Sequence, residues 1–151
     1  MTNIIDTLTA QDFKDYFDRA FEFAPATDPD NPDYVRDKDI LNAYSQAKLA
    51  FNQGIWENDD ETKLAFLFLS AHYLCMDWKM DKAGTTSGGT FSISQKQVGN
   101  VSASYSIPEV YKNDPYLNYF SQTQFGCKYL SLVIPRCVGK IAVIKGVTTY
   151  E

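Results

Sequence analysis

The stretch "ENDDETKLAFLFLSAHYLCMDWKM", Glu57 to Met80, decides how this chain must fold. Asn58 is a side chain that can accept a backbone N–H at a helix start, and Asp59, Asp60 and Glu61 bring negative charge to the positive end of the helix dipole. From Leu64 to Met76 the sequence is apolar nearly all round. A helix without a polar side belongs at the buried centre, so the other elements must coat it.

The flanking segments supply that coat. Thr9 opens "TAQDFKDYFDRAF" with Asp12 in capping-box position, and Phe13, Tyr16, Phe17 and Ala20 recur at helical spacing. "APATDPDNPDYV" carries three prolines and three aspartates without periodicity and reads as a surface loop. In "RDKDILNAYSQAKLAFNQG" a second helix starts at Asp37 or Lys38, stacks Ile40, Tyr44, Ala47 and Phe51 on one face, and is expected to end at a left-handed Gly54. Asp114 before Pro115 starts a further helix, and "TQFGCKYLSLVIP" gives a last one from about Thr123, ended by Pro135.

Between these helices Gly84 ends the central one, and "GTTSGG" leads into "SISQKQVGNVSASYSIP", Ser92 to Pro108. Gly99-Asn100 suits a two-residue hairpin turn, and Val101, Ala103, Tyr105 and Ile107 alternate with serines. The closing "RCVGKIAVIKGVTTYE" is β-branched and broken by Gly139 and Gly146, which suggests an extended arm. The expected fold is therefore mainly α. A small bundle of four to five helices surrounds one apolar central helix, with a protruding β-hairpin and an extended C-terminal arm. One domain spans 1–151, with the helical body at about 9–83 and 114–135, the hairpin at about 91–107 and the arm at 136–151.

Composition limits the function classes. A chain of 151 residues can bury roughly 70% of its unfolded surface and needs neither disulfide nor metal to fold. Its net charge of -5 argues against a surface for nucleic acid. Cys75, Cys127 and Cys137 are an odd set with no C-x-x-C pair, so free thiols of a reducing compartment are expected. No secretory signal and no membrane span is evident, and a cytoplasmic location of synthesis is the expectation.

No catalytic, cofactor or metal set emerges. His72 is the only histidine, which excludes a triad or a multi-histidine site, and its place in the most apolar helix suits a hydrogen-bonded core residue better than a lone base. Asp59, Asp60 and Glu61 suit a helix start better than a cation site. "DPDNPD" lacks the glycine and terminal glutamate of a calcium loop. Lys128 beside Cys127 could activate that thiol, but without an evident base a plain buried thiol is expected. Gly88-Gly89 and Gly99 lack phosphate-loop spacing. A two-stranded hairpin is marginal alone, and strand edges bind other chains through the main chain, so the hairpin and arm read as contact devices.

Taken in order, "TAQDFKDYF", "DILNAYSQAKLAFNQGIW", "KLAFLFLSAHYL", "VGNVSASYSIP", "PYLNYFSQTQFGCKYLSLVIPRCVG" and the closing glycine-x-threonine resemble the DUF4054 family of tailed-bacteriophage proteins, related to head-tail connector (adaptor, head-completion) proteins. The resemblance implies a structural virion protein, not an enzyme, without cofactor. It implies a homo-oligomeric ring, a dodecamer, beneath the phage portal protein at the head-tail interface of the virion. The ring would also meet a tail or stopper protein, with packaged DNA passing through unbound and no membrane contact. By the same resemblance Val98, Gly99, Asn100, Val101, Ser102 and Tyr105 belong to a docking hairpin, and Pro135, Arg136, Val138 and Gly139 mark the exit of the arm. The loop Pro25 to Asp33 matches no motif. Two other readings stay open. One is a tail-side stopper or tail-completion protein. The other is a small helical ligand-binding domain with a pocket lined by Phe66, Tyr73, Trp78 or Tyr129 around His72.

Overall fold

The computed structural model describes residues 4–83, 95–98, 101–104 and 113–138, with side chains at 4–79 and 113–137. Five α-helices dominate: α1 (Ala10–Tyr16), α2 (Asp37–Ala50), α3 (Asp59–Ala83), α4 (Pro115–Ser121) and α5 (Gln124–Val138). Short 3-10 turns at Ile4–Thr7 and Gln53–Ile55 complete the body. The architecture is mainly α.

The central helix is where the sequence puts it. Asn58 Oδ1 accepts the Glu61 N–H at 2.8 Å, which caps α3. Every side chain from Ala65 to His72 is buried, with Ala65, Phe66, Leu69, Ser70, Ala71 and His72 fully so. Helix α2 packs along one side of α3 and α5 along another, while α4 folds back on α5.

Local chemistry fixes the other starts. Thr9 and Asp12 form the capping box, with the Thr9 N–H donating to Asp12 at 2.8 Å and the Asp12 N–H to the Thr9 hydroxyl at 3.3 Å. These bonds from the Thr9 hydroxyl and N–H, with Lys63 beside the carboxylate, hold the Asp12 pKa down at about 2. Helix α2 starts on an unusual variant. Asp39 takes the Arg36 N–H at 3.0 Å and its guanidinium at 2.9 Å through each oxygen. Asp114 caps α4 by accepting from the N–H groups of Tyr116 and Leu117, with Pro115 at the first helical position.

The ends depart from the sequence pattern, each time because an aromatic or cationic side chain is wanted elsewhere. Helix α1 stops at Tyr16, so Ala20 is not on its face. The chain turns there, bringing Phe17 and Phe21 within 4.7 and 5.6 Å of Phe13 and both within 5.3 Å of Phe125. Helix α2 ends at Ala50 by an extended Phe51, not by a left-handed Gly54. Extending Phe51 lays its ring flat on Trp56, at 5.8 Å and 5°, and edge-on to Phe66 at 5.4 Å. Gly54 instead sits in the next 3-10 turn, its N–H bonded to Asn52 Oδ1.

Helix α5 does not end at Pro135. It continues through Arg136 and Cys137 to Val138, so the expected arm loses its first three residues to the helix. Proline removes one backbone bond inside the helix. Arg136 offsets that loss by donating to the Leu132 carbonyl at 3.0 Å, stacking 4.8 Å over Trp56 and lying 2.7 Å from Glu61.

Two short segments, Gln95–Val98 and Val101–Ser104, pair antiparallel with Val98 opposite Val101. Gly84, the turn residues Gly99 and Asn100, Tyr105, and the arm from Gly139 onward lie outside the described residues.

Phe66→Ala should cost about 3–5 kcal/mol in urea unfolding, because its fully buried ring fills the space between Tyr44 and Phe51. Leu49→Ala, at a position 90% exposed, should move the same measurement by less than about 0.5 kcal/mol.

Candidate functional site

The corner between α4 and α5 is pinned to α3 by one polar node. Thr123 precedes α5 and accepts the Gly126 N–H on its hydroxyl at 2.9 Å, and the same hydroxyl lies 2.7 Å from His72 Nδ1. The imidazole is fully buried, with Tyr119 and Phe120 ring centroids at 5.0 and 4.9 Å and Tyr73 at 5.6 Å. Burial first, and the nearby Lys79 ammonium second, push its pKa down to about 4, so it is neutral at pH 7. His72 Nε2 has no hydrogen-bond partner among the described residues. The ring is a core group, enclosed on both faces.

A groove of about 340 Å³ opens on another side of the body. It lies between the chain following α1 (Ala20, Phe21, Glu22, Asp33, Val35) and one face of α3 (Leu74, Cys75, Trp78, Lys79). Of the residues expected to line a ligand pocket, Trp78 alone borders this groove. Phe66 and Tyr129 are buried in the core, and Tyr73 lies by His72.

The expected contact residues fall into two groups. Val98, Val101 and Ser102 lie in the paired segments, Ser102 opposite Gln97. Gly99, Asn100, Tyr105 and Gly139 lie outside the described residues. Pro135, Arg136 and Val138 form the last turn of α5. Within that group Arg136 turns inward. Its guanidinium faces Glu61 as an ion pair and not an aligned hydrogen bond, since Glu61 Oε2 has no such bond. The Trp56 ring lies beneath it.

The acidic start of α3 is put to local use. Asp59 and Asp60 are exposed in its first turn, and Glu61 pairs with Arg136. Among the described residues no three His, Cys, Asp or Glu side chains gather as a metal-ligand set. No helix among them is long and apolar enough to cross a membrane. All three cysteines are free. Cys127 is exposed, not buried as expected, because Phe125, Gly126, Tyr129 and Leu130 take the inward face of α5. Cys75 is half-buried at the groove, where burial raises its thiol pKa to about 11 and so disfavours the thiolate.

Gly126 is the residue that the sequence pattern passed over. A Cβ there would run into the Phe120 carbonyl and come within 2.7 Å of His72 Nδ1, so only glycine lets α5 start this close to α4 and α3. The signal was present in "TQFGCKYL", since a glycine inside a helical pattern normally has a packing reason.

Gly126→Ala should therefore destabilise the fold by about 3 kcal/mol, seen as a lowered urea midpoint, because a backbone carbonyl must move. His72 sets a pH dependence. On unfolding it returns to an ordinary value of 6.5, so the unfolded chain binds a proton below that pH while the folded chain resists until about 4. Stability present above pH 6.5 should fall by about 3 kcal/mol between pH 6.5 and 4, and His72→Asn should flatten that slope.

Compared with known proteins, the chain finds no match: no family model, no curated protein and no solved structure is similar to it.

Proposed function

We propose that the chain is a structural subunit of a tailed-bacteriophage head-tail connector. It would assemble as a homo-oligomeric ring, a dodecamer, beneath the portal protein, and join the DNA-filled head to a tail or stopper protein. The observation that carries this reading is the antiparallel pairing of Gln95–Val98 with Val101–Ser104. Among the described residues no third strand joins it, and no sheet in the helical body could receive it. A pair of short strands is marginal in water by itself, and strand edges suit addition to another chain. The expected hairpin at about 91–107 and the expected C-terminal arm are the contact devices of this proposal. The sequence resemblance supplies the kind of assembly.

Two features of the body support a passive role. Its one histidine is enclosed and neutral at pH 7, and its buried faces are filled by aromatic packing. Arg136 ties the last helical turn to the start of α3, which braces the end of α5. The acidic balance of the chain suits a lumen through which DNA passes without being held. The stopper position on the tail side draws on the same features.

The test is a phage carrying a deletion of Phe91 to Tyr105. It should package DNA yet fail to retain it or to join tails, whereas intact infectious virions would refute the connector reading. Imaging of wild-type particles at the portal vertex should show this chain in a ring.

A further inference from the structure

We propose that the segment following Val138 in one copy seats, through Ile141, Val143 and Lys145, in the groove beside α3 of a second copy. The groove has an apolar floor and a charged rim. Val35 and Leu74 are buried in it and Phe21 and Trp78 half-buried, whereas Glu22, Asp33 and Lys79 are exposed at its edge. Lys79 is already committed, since its ammonium donates to the Gln122 carbonyl at 3.0 Å. Glu22 and Asp33 pair with no cation among the described residues. Glu22 directly precedes Phe23, Asp33 lies two residues before Val35, and a parallel bridge joins Phe23 to Val35, so both carboxylates belong to one end of the groove. Such a site asks for aliphatic side chains followed by a cation.

The sequence after Val138, "GKIAVIKGVTTYE", supplies that order. Side chains of an extended segment alternate between its two sides, so when bound as a strand Ile141, Val143 and Lys145 fall on one side and Lys140, Ala142 and Ile144 on the other. Two β-branched apolar groups then meet the floor, and the Lys145 ammonium follows about 7 Å beyond Val143, where Glu22 and Asp33 lack a cation. Extended segments are commonly recognised in this way, by pockets for alternate side chains. Burial of Ile141 and Val143 holds the segment, and the charge pair fixes its register.

The reach of the chain assigns the occupant to another molecule. Helix α5 runs antiparallel to α3: near its start Thr123 meets His72 and Gln122 meets Lys79, and at its end Arg136 meets Glu61. Along α3, Leu74 is about 20 Å and Lys79 about 27 Å beyond Glu61. Ile141 is five residues beyond Arg136, a span of at most about 18 Å. Ile141 of the same chain therefore stops short of the groove, whereas a second copy has no such limit. Two different surfaces of one chain that complement each other make a heterologous interface, which closes into a ring or propagates as a filament. Closure into a ring rests on the connector reading. The contact between copies does not.

The test uses the purified full chain. Sedimentation should show association that grows with concentration up to about 1 mM, and over the same range the indole N–H signal of Trp78 should shift while that of Trp56, the other tryptophan, stays in place. Lys145→Glu, or Glu22→Lys with Asp33→Lys, should weaken the association roughly tenfold without changing the melting temperature, and the chain carrying all three substitutions should regain it. Val143→Asp should weaken it at least as much, because it sets a charge on the apolar floor. Association that is indifferent to Lys145→Glu, a Trp78 signal that does not move on dilution, or a triple variant that fails to recover overturns the proposal. Recovery in the triple variant beside particles that lack a ring would refute the connector and leave the contact standing, and a ring at the portal vertex without that recovery would do the reverse.

Discussion

Everything in this body follows from one requirement: α3 has no side that can face water between Ala65 and His72. A helix of that kind is stable only inside a sleeve of other elements. Among the described residues the sleeve is made by α2, α5, the short α1 and irregular chain, and large aromatic side chains let few elements cover much surface. The high aromatic content of the sequence is thus a packing device, concentrated in Phe13, Phe17, Phe21, Phe66, Phe120 and Phe125.

That device explains which parts of the fold could be read in advance. Helix starts were legible because their causes are local. Asn58, Thr9 with Asp12, and Asp114 with Pro115 each act on N–H groups within four residues. Helix ends were not, because at each one a side chain was drawn to a distant partner. Phe51 turned toward Trp56 and Phe66, Phe21 turned toward Phe125, and Arg136 reached Glu61 across about half the chain. Neither Gly54 nor Pro135 acted as the stop its residue type suggests. Tertiary attraction outweighed intrinsic preference at both.

The same division holds for the sites. His72 was legible as a core histidine from its neighbours alone, but its partner Thr123 and the close approach at Gly126 depend on how α4 meets α5, which no spacing rule contains. Cys127 faced outward because the register of α5 is set by Phe125 and Tyr129. Of the residues expected to make contacts, Arg136 has the most clearly defined surroundings among those described: it is the brace between the first turn of α3 and the last turn of α5.

The His72–Thr123 bond, together with the Lys79 ammonium on the Gln122 carbonyl at 3.0 Å, has a consequence for how such a chain can change over time. Both bonds join the end of α3 to the α4–α5 corner, so side chains hold together helices that lie far apart in the sequence. The entropic cost of joining two distant points of a chain grows only with the logarithm of their separation, about 0.6 kcal/mol for each doubling. The junction therefore depends on His72, Lys79, Thr123 and Gly126 far more than on how many residues separate Ala83 from Asn113. Drift in that number is tolerated by the corner, whereas substitution of those four residues is not.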